Sequence, residues 1–327
     1  MTKPIRISYW TMLGILLLVG FLHLGTPLLA AMMSFFILQK LHRADRKWVA
    51  ILLFALLVLG CGFGLARFTR QAVLAVPTVA DKAIPSIIDY AEKRGVELPF
   101  TDWESLKALA MDEAKSQAQF LSGFANRASR ELVLLVLGLI VAVSLFLNSK
   151  LDLDHGTHAI RNNLYSLTAE EIVTRFGLFY KSFTVVMGAQ IIISSINTAL
   201  TSIFVISVGL PHAAVMVGVT FLCGLVPVVG NIISNAIITA IAFTVSPRMA
   251  LVALGFLVVI HKLEYFLNSK IIGDRIRNPV WLTLLGLILG EKLMGIPGMI
   301  LAPVILNYIK VEATQIEMKT GPAAESP

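Results

Sequence analysis

Pro211-His-Ala-Ala-Val-Met-Val-Gly-Val-Thr-Phe-Leu-Cys-Gly-Leu-Val-Pro-Val-Val-Gly-Asn-Ile-Ile-Ser-Asn235 and Gly290-Glu-Lys-Leu-Met-Gly-Ile-Pro-Gly298 decide how this chain is read. The first stretch continues apolar to Val245, and the second sits inside the run from Val280 to Ile309. Each is an apolar segment broken in its middle by glycine and proline, the residues that interrupt a helical backbone. The arms beside each break have about 10 to 15 residues, or roughly 15 to 22 Å of helix. A bilayer's hydrocarbon core is roughly 30 Å thick, so a single arm falls short of crossing it. Paired short segments, broken in matching places, point to a solute site made from discontinuous helices. The plainer alternative is two kinked spanning helices.

The rest of the composition supports a membrane setting. Of 327 residues, 57% are hydrophobic and only 14% charged, and the mean hydropathy is +0.81. A soluble domain carries about a quarter charged residues. The net charge of +7 does not indicate nucleic acid, because Lys3, Arg6, Lys40, Arg43, Arg46, Lys47, Lys262, Lys270, Arg275, Arg277 and Lys310 all flank apolar runs, as the positive-inside rule expects. Cys61 and Cys223 lie within apolar runs and imply no disulfide framework. The N-terminal apolar run has no convincing cleavage site and reads as an uncleaved anchor.

Along the chain, Tyr9–Leu24 and Pro27–Leu38 are two apolar segments whose far end, Lys40 to Lys47, is expected on the cytoplasmic side together with the N-terminus. Trp48–Ala66 crosses outward, and these membrane helices make up residues 1–66. Residues 67–130 are the extended water-facing region: Val73, Val76, Ala80, Ala83 and Ile87 recur at helical spacing up to a break at Gly95. Thr101-Asp-Trp-Glu104 then opens a second amphipathic helix in capping-box form. Glu131–Leu147 returns inward, and the polar linker up to residue 182 contains Thr168-Ala-Glu-Glu171, read as a helix start. Within it, His155-Gly-Thr-His158 with Asp152 and Asp154 has metal-binding residue types. The glycine and the missing helical context leave a solvated loop as the default, so no metal site is assigned.

From residue 183 to 311 a symmetry appears. Phe183–Val208 runs outward and the first broken segment follows; Met249–Leu267 runs inward and the second follows. Span plus hairpin, then the same upside down, is an inverted repeat. The expected fold is an all-α polytopic membrane protein, with about six spans, two broken re-entrant hairpins and an external helical insertion. It brings the C-terminus back to the cytoplasm, with residues 312–327 as a disordered tail.

Ionisable residues at membrane depth are candidates for function because burying them is costly. Here they are His261 and Glu264, three apart on one helix face, with Lys262 able to snorkel, and Glu291 and Lys292 at the second break. The uncharged polar set comprises Gln190, Ser194, Ser195, Asn197, Thr198 and Thr201 on one span, and Asn231, Ser234 and Asn235 after the first break. Half-helix ends near Pro227 and Gly230, and near Gly295 and Gly298, leave carbonyls for a cation and N–H groups for an anion. A polar stripe can equally serve only to join helices. No phosphate-binding loop is present, no nucleophile–base arrangement is evident, and no cofactor is expected. The expected partner is a small molecule or an ion, with lipid around the chain.

These residues resemble a known pattern. Gly188-Ala-Gln190, Gly209-Leu-Pro211-His-Ala213, Leu225-Val-Pro227-Val-Val-Gly230, Leu263-Glu264, Gly273-Asp-Arg275 and Gly290-Glu-Lys-Leu-Met-Gly295-Ile-Pro-Gly298-Met-Ile-Leu-Ala302-Pro303 are similar to the autoinducer-2 exporter family of bacterial permeases. The resemblance is specific from Gly177 to Ile309 and architectural before that. It implies an inner-membrane secondary transporter, a permease or exporter that assembles as a homo-oligomer. Some members are linked to export of the quorum-sensing furanone and others to sodium- or lithium-for-proton exchange. This chain departs from the pattern near Ser269, where many relatives carry proline, at Asn278, where many carry histidine, and at Glu291-Lys292, where a smaller glycine-rich pair is expected. A role as a non-transporting scaffold, acting through residues 67–130, is the alternative of another class.

Overall fold

The computed structural model describes residues 2–42, 46–95, 104–105, 108, 118–148, 163–227, 229–272 and 279–316. They form α1 (Lys3–Phe21), α2 (Gly25–Leu41), α3 (Lys47–Glu92), α4 (Ala118–Leu147), α5 (Leu164–Val208), α6 (Ala213–Gly224), α7 (Val229–Phe243), α8 (Pro247–Ile272), α9 (Val280–Met294) and α10 (Ile296–Thr314). No strand occurs among the described residues, so the protein is all-α. Among the described residues, five helices are long and apolar enough to cross a membrane: α1, α3, α4 from Ala128, α5 and α10. Large apolar side chains point outward along them, Leu17 at 63%, Leu59 at 70% and Ile206 at 70% exposure. Water would not tolerate a surface of that kind; lipid does.

Helix lengths differ from the sequence expectation in three places. α2 has 17 residues, roughly 26 Å, and is shorter than a full span. α10 has 19 residues, so this arm of the second broken segment is itself of spanning length. α3 does not stop near residue 66 but continues for 46 residues, through Pro77 and Pro85. Both prolines are exposed, as are Val73 and Asp81, the residues four positions before them. The carbonyls that a proline leaves without a partner therefore lie on the outward face. The second amphipathic helix expected from Thr101, and the His155–His158 loop, lie outside the described residues.

Two compact units can be described separately. The first comprises Met1–Gly25, Lys150–Gly188 and Arg275–Pro327; the second comprises Thr26–Ser149 and Ala189–Asp274. In the second unit, Leu38, Ala50, Phe54, Ala142 and Phe146 join α2, α3 and α4. A larger core of Val205, Met216, Ile238, Ala253 and Leu257 joins α5 to α6, α7 and α8, with Val79 of α3 packed on it. Phe68 lies so close to Gly218 that a Cβ there would come within 2.5 Å of its ring. Tyr90 meets Phe243 edge-on with ring centres 6.1 Å apart. The inner face of residues 67–92 thus covers the first hairpin. In the first unit, Phe183 is fully buried and Phe179 packs edge-on against Tyr308, ring centres 5.5 Å apart.

Candidate functional site

The site is built on the first break. α6 has 12 residues and α7 has 15, roughly 18 and 22 Å. They meet at a turn through Leu225, Val226 and Pro227, where Val226 N donates to Cys223 O at 2.9 Å and Gly230 N to Val226 O at 3.3 Å. Glycine is required at 230: a Cβ there would lie 1.7 Å from Cys223 O, a backbone atom that cannot move aside. Carbonyls at the end of α6 have no helical partners of their own, and α5 supplies them. Gln190 Nε2 donates to Gly224 O, and Ser194 Oγ donates to Phe221 O at 2.8 Å.

The polar groups that remain converge one turn further on. Asn231, in the first turn of α7, donates through Nδ2 to both oxygens of Glu264 on α8, at 2.8 and 2.7 Å. The contact is charge-assisted, and the carboxylate lies close to the positive end of the α7 dipole. Beside it is a cavity of about 20 Å³ whose polar wall includes Asn197, Thr201, Thr220, Asn231, Asn235 and Glu264. One water or one small ion fits such a space. Asn197 is 6% exposed, and its Oδ1 has no hydrogen-bond partner among the described residues. Buried polar atoms are nearly always satisfied, so an exception calls for an occupant.

His261 also lines this cavity, although its residue surface is exposed. Gln190, Pro227 and Gly230 shape the hairpin and do not line the cavity. Lys262 is exposed on α8, and the residues singled out at the second break, Glu291, Lys292, Gly295 and Gly298, belong to the first unit. There α9 and α10 fold back on each other at Gly295, whose φ of 64° suits glycine. Cβ atoms at Gly290 and Gly298 would each lie within 2.4 Å of the other's carbonyl oxygen. His23 Nδ1 hydrogen-bonds Leu293 O. Glu291 and Lys292 form a 4.0 Å pair with side chains 51% and 78% exposed, a contact worth little to stability. Among the described residues no group of three or more His, Cys, Asp or Glu could hold a metal ion.

A family model described as AI-2E family transporter matches residues 6–317. The chain belongs to that family. It is also 31% identical, over 142 residues, to the "Putative transport protein YdbI" of Bacillus subtilis (strain 168). That match covers 43% of this chain and 41% of the relative's length. Of the motifs that carried the resemblance, Gln190, Pro227 and Gly230 set the hairpin of this AI-2E family member, and Glu264 reaches the cavity. Gly273-Asp-Arg275 and Asn278 lie outside the described residues.

The structure also reveals a cluster that sequence reasoning missed. α5 begins at Leu164, not near Thr168: Asn163 Oδ1 accepts from Ser166 N at 2.9 Å and caps it. The segment read as a polar linker therefore supplies Glu171 and Arg175, paired at 2.9 Å. The Arg175 guanidinium sits 4.0 Å over the Tyr9 ring, and the Tyr9 hydroxyl donates to Glu312 at 2.9 Å. Arg175 and Glu312 are only 5% and 7% exposed. Glu312, assigned to the tail, is an inward-facing residue of α10. A carboxylate four residues before an arginine was the one available signal.

Proposed function

We propose that this chain is a secondary-active transporter of the bacterial inner membrane, with both termini in the cytoplasm, moving a small solute such as a quorum-sensing signal. The observation that carries the reading is the cavity under the first break, which Asn197, whose Oδ1 is buried without a partner, lines together with the hydrogen-bonded Asn231 and Glu264. Membership of the AI-2E family supports transport as the activity. Irregular backbone is tolerated at membrane depth only where protein buries it or water reaches it, and carriers place their sites there. Asn197 and Asn231 contact the solute or ion, and Glu264 couples its movement to a proton or cation.

A second reading, monovalent-cation/proton antiport, draws on the size of the cavity. About 20 Å³ suits a dehydrated ion or a single water and is far below the roughly 300 Å³ at which small-molecule pockets begin. Gradient-driven flux into proteoliposomes, comparing the wild type with Glu264→Gln and Asn197→Ala, tests both. Equal rates for wild type and Glu264→Gln would remove Glu264 from the mechanism. Sodium-dependent proton movement without any organic solute would favour the antiporter.

A further inference from the structure

A groove of about 900 Å³ runs beside α1 in the first unit, walled on its other side by α10 and the end of α9. Leu13, Leu17 and Phe21 of α1 and Ile305 and Ile309 of α10 make it apolar along its length. One end is different: Tyr9, Tyr308 and Glu312 line it. From Tyr9 to Phe21 the α1 wall extends roughly 18 Å at 1.5 Å per residue. One leaflet of hydrocarbon is half of about 30 Å, so the apolar part matches one leaflet. The polar end then falls at headgroup depth, beside the start of α1 at Lys3 and the end of α10 at Thr314. Trp10, 69% exposed, sits at the level where interfacial aromatics gather.

The charge at this end selects the occupant. Arg6 precedes Tyr9 by three residues and so shares its face of α1. It is exposed and has no ion pair among the described residues. The opposing charge of Glu312 is turned inward, with the Tyr9 hydroxyl 2.9 Å from one oxygen and the Arg175 guanidinium over the Tyr9 ring. Glu171, also near, is paired with Arg175. An arginine fork above an apolar trough matches a phosphate on an acyl chain. A uniformly apolar partner helix would leave that charge unanswered.

We propose that the α1–α10 groove is a phospholipid site, with an acyl chain lying along Leu13 to Phe21 and the lipid phosphate on Arg6. Gly14 provides the test, because it lines the groove and a Cβ there would meet nothing within 4 Å. Gly14→Leu puts a side chain into the trough from a Cβ that touches no other atom and improves helix propensity. Native mass spectrometry of the full chain, released from detergent with phosphatidylglycerol or phosphatidylethanolamine added, reads lipid occupancy directly. Wild type should keep bound phospholipid under conditions that strip loosely held lipid. Gly14→Leu should lose it with no fall in melting temperature. Arg6→Ala should lower apparent affinity about fivefold, the worth of one basic residue at a membrane surface, and Arg6→Lys should retain most of it. Wild-type occupancy in both Gly14→Leu and Arg6→Ala would overturn the proposal. So would a change of oligomeric state in Gly14→Leu with lipid binding intact, which would make the groove a protein contact.

Discussion

Exchanging Glu264 for glutamine tests whether the contact between α7 and α8 closes the cavity. Asn231 Nδ2 donates to both carboxylate oxygens, at 2.8 and 2.7 Å. A hydrogen-bonding contact to a charged group contributes roughly 1.5–3 kcal/mol, against about 1 kcal/mol for a neutral one. Glutamine keeps the shape but puts an amide nitrogen where one oxygen was, so half of the contact becomes donor facing donor. The expected loss is about 1–2 kcal/mol, a factor of roughly 5–30 in the equilibrium between joined and parted helices. Amide hydrogen exchange in the first turn of α7, in lipid nanodiscs, reads that equilibrium. Asn231→Asp alone should be worse, because it sets two carboxylates face to face. The double change Asn231→Asp with Glu264→Gln should recover most of the protection. It restores an acceptor opposite a donor and places a negative charge in the first turn of α7, where the dipole favours it. If the two single changes add within about 0.5 kcal/mol, with no recovery in the pair, the contact is not a coupled unit and the reasoning fails.

Three further outcomes follow from the same geometry. Gly230→Ala, forced against Cys223 O, should cost at least about 3 kcal/mol, read as a lower melting temperature in detergent, whereas Gly60→Ala, with open space around it, should gain up to about 1 kcal/mol. Asn197→Leu removes a buried atom that has no partner, so its melting temperature should hold or rise while proteoliposome flux falls by about tenfold or more, a trade of the stability–activity kind; undiminished flux would take Asn197 out of the site. Arg175→Met leaves Glu171 without its cation and the Tyr9 ring without the guanidinium over it, and should destabilise by about 3 kcal/mol in a thermal melt, with Glu171→Gln in the same background restoring part of the loss.

The two breaks were legible because glycine and proline act locally: Gly230 and Gly298 occur where backbone meets backbone at distances no Cβ could occupy. The candidates Asn231 and Glu264 were legible singly, as polar residues in apolar company. Their pairing was not, since it depends on how α7 crosses α8 across 33 residues of sequence. Pro77 and Pro85 left the helical spacing of Val73 to Ile87 readable. Proline predicts a helix end, but eight residues of separation put both on the outward face of α3, where they do least harm, while Ala75, Ala83 and Ile84 hold the inward face. Arg175 and Glu312 went unseen because each lies in a segment polar enough to pass for loop or tail. Only the packing of α1 and α10 around them makes them interior.

A broken helix in an apolar setting needs polar groups before it can do any chemistry, because its freed carbonyls must be met. That requirement sorts the polar stripe of α5. Gln190 and Ser194 are used by Gly224 O and Phe221 O, and Thr198 turns back on Ser194 O at 2.7 Å. Asn197, one residue away and buried, answers none of the carbonyls of the hairpin and keeps a free oxygen. Ordinary helix adhesion would have satisfied it, as it satisfies the others. In the second hairpin the backbone approach at Gly290 and Gly298 is as close, yet its polar neighbours, Glu291 and Lys292, are exposed and leave no buried atom waiting. Both hairpins therefore share the same backbone device, and the first sets it beside a small polar cavity that Asn197 lines. A solute-binding role belongs where the polar inventory exceeds what the fold itself consumes; of the two buried unpartnered side-chain atoms among the described residues of the second unit, His42 Nδ1 and Asn197 Oδ1, only the latter belongs to a residue lining the cavity with Glu264.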